Sequence, residues 1–97
     1  MNYELVFKEE VDQEINESFI WYEKQQLGLG ELFLSEIDKG ISLILSNPYQ
    51  YAIRHNNKRA AVIKRFPFLI IYEIIENEIV IYAVFHSSRD PKIWKKR

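Results

Sequence analysis

Three side chains in the second half of the chain are of types that can move protons or hold a phosphate. His86 closes an apolar run, and an imidazole can act as an acid or a base near neutral pH. Arg65, in the run RAAVIKRF, has a planar guanidinium that matches a phosphate. Arg89 suits either a phosphate or an acidic protein surface. Together they are the candidates for phosphate chemistry.

Each candidate also has a purely structural interpretation. A histidine at the end of a strand often packs against its neighbours and hydrogen-bonds the following loop. A charge such as Arg65 on an edge strand prevents sheets from pairing edge to edge. Arg89 and Asp90 would form an ion pair that ties the end of the chain to the body. The sequence leaves both interpretations open for every one of these residues.

Other basic and aromatic side chains are candidates for contact with a target. Alternation along a strand places Arg59 on the same face as Arg65 and places His86 on the same face as Tyr82 and Val84. Tyr72 is expected in the core or lining a groove. The last residues form one group, in which Trp94 packs its ring on the body while Lys95, Lys96 and Arg97 extend into solvent.

No metal or cofactor is expected. The chain has no cysteine, and neither His55 nor His86 has a second ligand at metal spacing. The opening residues lack the basic lead and apolar run of a signal peptide, and no stretch is apolar over the length of a membrane span. We therefore expect a soluble cytoplasmic protein with no membrane partner.

Charge is divided unevenly along the chain. Residues 1–53 carry ten acidic side chains and three lysines, whereas residues 54–97 carry ten basic side chains and four acids. The acids of the first half suit the solvated outer faces of two helices. The basic half favours contact with something anionic.

The elements that must position the candidates follow from hydrophobic periodicity. Residues 2–7 alternate as a strand does, and from Lys8 to about Gln26 the apolar spacing is helical. Gly28 and Gly30 break this helix, and a second helix is predicted from about residue 31 until Asn47-Pro48 ends it. The tight turn between them predicts an antiparallel helical hairpin.

Three strands are predicted after an irregular polar loop at residues 49–58. They cover residues 59–66, 68–75 and 79–86, and their short spacers require antiparallel hairpins. The order β-α-α-β-β-β predicts a single α+β domain over residues 1–97. In it, the helical hairpin packs on one face of a four-stranded, mainly antiparallel sheet, and the other face stays partly open.

This order resembles the RelE/ParE superfamily over the whole chain, and three local features carry the resemblance. They are the paired strands RAAVIKRFPFLIIYEI, the last strand IVIYAVFH, and the ending HSSRDPKIWKKR, which is similar to the H-x-x-R-D-P…W ending of ParE-like members. The resemblance implies the toxin of a type II toxin–antitoxin pair, a growth inhibitor neutralised by a cognate antitoxin. It implies no cofactor.

Two mechanisms compete within that superfamily. ParE-like members bind DNA gyrase, whereas RelE-like members are ribosome-dependent mRNA endonucleases, and in the second case Arg65, His86 and Arg89 would be catalytic. The isoelectric point near 6.1 and the absence of a tyrosine after His86 both depart from the nuclease pattern. The sequence therefore favours a ParE-like, non-enzymatic inhibitor.

The target-binding candidates are basic or aromatic, and the expected partners are proteins. The antitoxin is expected to offer an acidic amphipathic helix or an added strand. A third interpretation is a non-toxic binding module, or an inactive toxin, on the same fold. The target-binding set is Arg59, Arg65, Tyr72, Arg89, Trp94, Lys95, Lys96 and Arg97.

Overall fold

The structure is a computed structural model that describes residues 2–97. Two long helices follow a first short strand, and four further strands precede a last short helix. A single 3₁₀ turn, Pro48–Gln50, follows the second helix. The elements are β1 (Glu4–Phe7), α1 (Glu9–Gln25), α2 (Leu29–Ser46), β2 (Ile53–His55), β3 (Lys58–Val62), β4 (Phe68–Ile75), β5 (Glu78–His86) and α3 (Lys92–Lys95).

The strands form one sheet in the order β1-β5-β4-β3-β2. β1 runs parallel to β5, and the other neighbours are antiparallel. The predicted α+β architecture, with a helical hairpin on a mainly antiparallel sheet, is confirmed. None of the helices within residues 2–97 has both the length and the apolar sequence needed to cross a bilayer.

The sheet has five strands and not four, because the predicted loop at residues 49–58 contains β2. Asn56 and Asn57 both have positive φ, 44° and 64°, and they join β2 to β3. Two consecutive residues in this region form the tight turn that matches the twist of a hairpin, and asparagine tolerates it well. The Asn-Asn pair was the local signal for this strand.

The helical hairpin closes around its two glycines. Gly28 has a φ of 89° and makes the turn, whereas Gly30 lies inside α2, which begins at Leu29. A Cβ on Gly30 would lie 2.7 Å from the Phe19 carbonyl oxygen of α1. The Glu23 carboxylate accepts the Gly30 N–H at 2.8 Å, so α1 supplies a cap for the first turn of α2.

The main core fills the space between the hairpin and the sheet. Its aromatic centre is a set of rings from both helices, the β3–β4 turn and the start of β4, with centroids of contacting rings 4.8–6.2 Å apart. Fully buried aliphatic side chains from α1, α2, β4 and β5 surround it. The aromatic set is Tyr22, Phe33, Phe66 and Phe68; the aliphatic set includes Val11, Ile44, Ile70, Ile79 and Ile81.

A bulge in β5 changes which residues share a face. Ile71 of β4 pairs with Ala83, but the next residue, Tyr72, pairs with Ile81, so Tyr82 is inserted. Tyr82 therefore packs on the face opposite to the helices, while Val84 packs in the main core. The prediction that Tyr82 and Val84 share a face was wrong because regular alternation fails at the bulge.

The sheet face opposite to the hairpin is covered at its centre and is not open there as predicted. The short helix α3 places Trp94, which is 4% exposed, on a second apolar cluster. Val62 at the end of β3 remains 63% exposed. The cluster consists of Ala60, Ile71, Val80, Tyr82, Ala83, Phe85 and Trp94.

Candidate functional site

A groove of about 310 Å³ lies between α1 and the ends of β4 and β5. His86 and Arg89 line it from the sheet side, and Glu14, Glu17 and Trp21 line it from α1. Two of the three candidates for phosphate chemistry therefore share one groove. The same groove contains two carboxylates, of which Glu14 is paired with Arg97 and Glu17 opposes the binding of a phosphate.

His86 is held in one orientation by the loop that follows it. Its Nδ1 accepts a hydrogen bond from the backbone N–H of Ser88 at 3.1 Å, and its ring lies edge-on to Phe68 with 5.1 Å between centroids. A donor aimed at Nδ1 requires that this nitrogen carry no proton, so the neutral ring has its proton on Nε2. In this conformation the Nε2–H of His86 is available as a hydrogen-bond donor, and the lone pair of Nδ1 already accepts the Ser88 N–H.

Arg89 does not form the predicted ion pair with Asp90. Its guanidinium lies 5.7 Å from the centroid of the Phe85 ring, whereas the Asp90 carboxylate accepts the Lys92 N–H at 3.0 Å. The short Asp90 side chain bends back onto its own backbone in an Asx turn that leads into α3, and it therefore cannot reach Arg89. Within residues 2–97, no carboxylate lies within ion-pair distance of the exposed Arg89 side chain.

Arg65 lies in a turn and not on a strand. β3 ends at Val62, the Ile63 N–H donates to the Phe68 carbonyl at 3.0 Å, and Arg65 has a φ of 71°. The predicted strand to Phe66 was wrong because the chain must already reverse here to enter β4. Arg65 is exposed and does not line the His86 groove. The three candidates thus lie at one end of the sheet but are not assembled around one groove.

Arg97 is held inside the protein and does not extend into solvent as predicted. Its guanidinium donates to both carboxylate oxygens of Glu14, at 3.1 and 2.9 Å, and to the Tyr82 carbonyl at 2.9 Å. Glu14 in turn accepts the Val84 N–H at 3.1 Å. β1 ends at Phe7, opposite Ile81, so the backbone groups of Tyr82 and Val84 on that side of β5 have no strand partner, and a polar pair from α1 and the chain end satisfies them. We call this arrangement the Arg97 clasp.

The other members of the ending divide into a buried residue and exposed ones. Trp94 packs its ring on the body as predicted, and within residues 2–97 its Nε1 has no hydrogen-bond partner. Lys95 and Lys96 are exposed. Trp94 therefore anchors the segment, while the two lysines are accessible.

Arg59 and Tyr72 are also engaged within the protein. The Tyr72 hydroxyl donates to the Pro48 carbonyl at 2.6 Å, and burial raises its pKa to about 12. Arg59 donates to the Tyr51 carbonyl at 2.5 Å and lies over the Tyr49 ring at 5.2 Å. Both side chains fasten the 3₁₀ turn and the loop after it to the sheet.

A row of polar side chains on the sheet face opposite to the helices was missed by the sequence analysis. The Tyr82 hydroxyl donates to Glu73 at 2.8 Å, and the Lys58 and Lys8 ammonium groups lie 4.7 and 5.6 Å from the centroid of the Tyr82 ring. Burial, and next the bond to Glu73, raise the pKa of Tyr82 to about 12, so the hydroxyl stays a donor at neutral pH. No local motif marks this row, because β3, β4, β5 and the residue after β1 each supply one member.

A second groove, of about 600 Å³, lies between α2 and the end of β3. Leu43, Tyr51 and Val62 give it an apolar lining. Charges of both signs lie on its border, where Lys39 forms an ion pair with Glu36 at 3.2 Å. Leu43 and Val62 are 47% and 63% exposed. The groove is therefore an apolar depression with a border of mixed charge, on which Lys64 has no carboxylate partner within residues 2–97.

A model of the ParE toxin of type II toxin–antitoxin systems (parDE) matches residues 5–91. The chain belongs to the ParE toxin family. The match spans α1, α2, the whole sheet and the residues that lead into α3, so the ParE toxin domain includes both grooves. A search of curated proteins gave no match.

A solved structure described as a chromosomal ParDE TA system from P. aeruginosa has the same fold as this ParE-family chain. The two superpose with a TM-score of 0.76 at 14% sequence identity, over 87% of this chain and 95% of the other. At that identity the likeness concerns the fold alone. Within residues 2–97 of this ParE-family chain, no three His, Asp or Glu side chains are grouped as metal ligands would be.

Proposed function

We propose that this chain inhibits growth by binding a protein target, DNA gyrase, and that a cognate antitoxin neutralises it. The observation that carries the proposal is the state of His86, whose Nδ1 is occupied by the Ser88 N–H in a groove that also holds the Glu17 carboxylate. Cleavage of RNA requires a free base for the 2′ proton and cations on the phosphate. The occupied Nδ1 of His86 disfavours the first requirement, and within residues 2–97 Arg89 alone supplies this groove with a permanent cation, which supports inhibition by binding.

The exposed basic side chains are the proposed contacts with the target. Arg65, Arg89, Lys95 and Lys96 are exposed. Charged groups at the rim of an interface mainly steer association and give specificity. We assign Trp94 and Arg97 to positioning, since both are held within the protein, and the same applies to Arg59 and Tyr72.

The antitoxin segment is proposed to occupy the groove between α2 and β3. Exposed apolar surface at Leu43 and Val62 suits the apolar face of an amphipathic segment, and Lys64 suits an acidic side chain beside it. Co-purification with the product of the adjacent gene tests this. Val62→Glu should weaken the complex at least tenfold, whereas Val6→Glu, at a strand edge away from the groove, should not.

The decisive experiment is pulse incorporation of labelled thymidine, uridine and methionine after induction of the chain in a bacterial host. Early loss of thymidine incorporation, with a DNA-damage response, is expected for a gyrase inhibitor. Toxicity should disappear in a host with resistant gyrase. Early loss of methionine incorporation would contradict the proposal, because it reports a block of protein synthesis, and would support the mRNA endonuclease. The residues to mutate would then be Arg65, His86 and Arg89, which lie at one end of the sheet.

A matched set of variants separates the two mechanisms further. His86→Ala is expected to remain toxic, because it removes no contact with the target. Replacing Lys95 and Lys96 by alanine is expected to reduce toxicity, with Lys24→Ala on α1 as the control for loss of an exposed lysine. Loss of toxicity in His86→Ala, with folding and antitoxin binding intact, would contradict the assignment.

A further inference from the structure

β1 forms one edge of the sheet, and its outer side presents backbone and apolar side chains that can contact another strand. β1 pairs with β5 on one side, and among residues 2–97 no strand pairs with its other side. Leu5, Val6 and Phe7 are 36%, 36% and 43% exposed. An exposed apolar edge of this kind is a template for another strand, and proteins commonly protect such edges with charges, bulges or covering segments.

The backbone hydrogen bonds of β1 determine which residues face outward. The Glu4 N–H donates to the Asn77 carbonyl at 2.9 Å, and the Lys8 N–H donates to the Ile81 carbonyl at 3.0 Å. Because backbone groups alternate along a strand, Glu4 and Val6 turn theirs toward β5. Leu5 and Phe7 therefore point their N–H and C=O groups toward the free edge.

We propose that a second copy of this chain pairs with β1 in antiparallel orientation, around a twofold axis that passes beside Val6. In this register Leu5 of one copy lies opposite Phe7 of the other, and each pair exchanges both backbone hydrogen bonds through its outward-facing groups. Val6 lies opposite the Val6 of the second copy. The two five-stranded sheets then join into one continuous sheet.

The sequence of the edge is complementary to itself in this register. Glu4 of each copy lies opposite Lys8 of the other, so the two ends of the strand pair carry opposite charges. A parallel in-register pair would instead place like charges together. Twofold symmetry also closes the assembly, since each copy has a single β1 edge and no further copy can add there.

The pairing is expected to be reversible. The edge consists of the four residues Glu4–Phe7, and a strand pair of that length buries far less than the roughly 800 Å² per partner of a stable interface. We therefore expect a concentration-dependent dimer of the chain alone. This property does not depend on gyrase or the antitoxin, so its test and those of the proposed function fail separately.

A cysteine placed at the axis tests the register. The chain has no cysteine, so Val6→Cys introduces a single thiol. Opposed residues in a pair without backbone hydrogen bonds have Cα atoms about 4.5 Å apart, which is within the range of a disulfide. Val6→Cys should form a disulfide dimer on mild oxidation. Leu5→Cys is the matched control, because its copies lie two positions out of register, at about 7–8 Å.

Sedimentation velocity of the full chain over a range of concentrations tests the charge pattern. Glu4→Lys replaces two attractive contacts by repulsive ones and should weaken the dimer roughly tenfold. Adding Lys8→Glu to that variant should restore it. A chain that stays monomeric at the highest concentration, with Val6→Cys no more reactive than Leu5→Cys, overturns the proposal. Cross-linking of Val6→Cys to a co-expressed antitoxin strand, and not to itself, also overturns it.

Discussion

Arg97 performs a structural role that its place among basic neighbours did not indicate. It binds Glu14 through two hydrogen bonds and reaches the Tyr82 carbonyl at the bulge of β5. Only 15% and 14% of the Arg97 and Glu14 side chains are exposed, so water screens the pair little. The Arg97 clasp therefore joins α1, β5 and the end of the chain at one point.

We expect the clasp to show strong coupling in a double-mutant cycle. Arg97→Gln or Glu14→Gln alone should lower the free energy of unfolding by about 2 kcal/mol. Arg97→Gln leaves Glu14 partly buried and unpaired, and Glu14→Gln leaves Arg97 with only the more distant Glu10, at 3.9 Å. The double variant should cost clearly less than the sum. Urea unfolding measures all three, and Lys96→Gln, at an exposed neighbour, should change stability by less than about 0.5 kcal/mol. Additive effects would contradict the clasp.

The buried tyrosines predict how stability depends on alkaline pH. Burial raises the pKa of Tyr72 and Tyr82 to about 12, above the ordinary value near 10. The folded state thus favours the neutral phenol, so this stabilisation is complete below pH 10 and is lost as the pH rises toward 12.

Unfolding between pH 9 and 11 checks this dependence. Tyr72→Phe should lower stability at neutral pH by about 1 kcal/mol, through the lost bond to Pro48, and should reduce the alkaline slope. Tyr49→Phe is the control, because Tyr49 is 62% exposed. An unchanged slope in Tyr72→Phe would contradict the assignment.

The role of a residue could be predicted from the sequence only where its partners are close to it in the sequence. The packing of Trp94 follows from its size among polar neighbours, whereas the fate of Arg97 depends on Glu14, which is distant in sequence. The neighbours Arg89 and Asp90 suggested an ion pair, but a local Asx turn occupies the carboxylate instead. Side chains whose partners lie on another element could not be assigned without the register of the sheet.

Among the elements, the helical hairpin was the most predictable and the sheet register the least. The stripe from Val11 to Tyr22 and the glycine turn define α1 and α2, although Gly30 proved to be a contact point within α2 and not a helix breaker. The bulge at Tyr82 has no counterpart in the apolar pattern of β5. A strand that is apolar on both faces carries no alternation from which a one-residue shift could be detected.

Substitution by alanine is expected to lower the free energy of unfolding to different extents at the two glycines of α2, Gly30 and Gly40. At Gly30 a Cβ would meet the Phe19 backbone oxygen at 2.7 Å, and the helices must separate to accept it. At Gly40 the contacts, 2.8 and 3.0 Å, are with the flexible ends of Ile63 and Ile70.

Gly30→Ala should therefore cost about 2 kcal/mol, whereas Gly40→Ala should cost less than about 1 kcal/mol, because better helix propensity offsets mild crowding. Urea denaturation of the two variants under the same conditions gives both values. Equal costs would show that the helix–helix contact at Gly30 adapts more readily than the structure indicates.

At the scale of the whole molecule, the sheet separates two apolar regions that are closed by different means. The hairpin closes the main core, and α3 closes the second cluster with one large side chain, Trp94. The chain end is therefore part of the folded body, and its exposed lysines are presented from a fixed base. The sequence predicted a partly open sheet face, and it did not indicate that a four-residue helix covers the centre of that face and leaves Val62 exposed.

Trp94 variants test how much the packing of α3 on the second apolar cluster contributes to the stability of the fold. Trp94→Ala should lower the free energy of unfolding by about 3 kcal/mol, since it empties a buried site. Trp94→Phe should cost about 1 kcal/mol, because the indole N–H it removes has no partner within residues 2–97. Chemical unfolding followed by circular dichroism measures both. A cost below 1 kcal/mol for Trp94→Ala would mean that α3 does not close the cluster in solution.

The parallel pairing of β1 with β5 has a consequence for synthesis. The partners of β1, Glu78 to Ile81, follow it only after the entire helical hairpin and three further strands. Contacts so distant in sequence form late in folding. A chain cut short before Glu78 therefore keeps a first strand with no neighbour. Such a fragment cannot complete the sheet, and its unpaired strand is exposed to proteases.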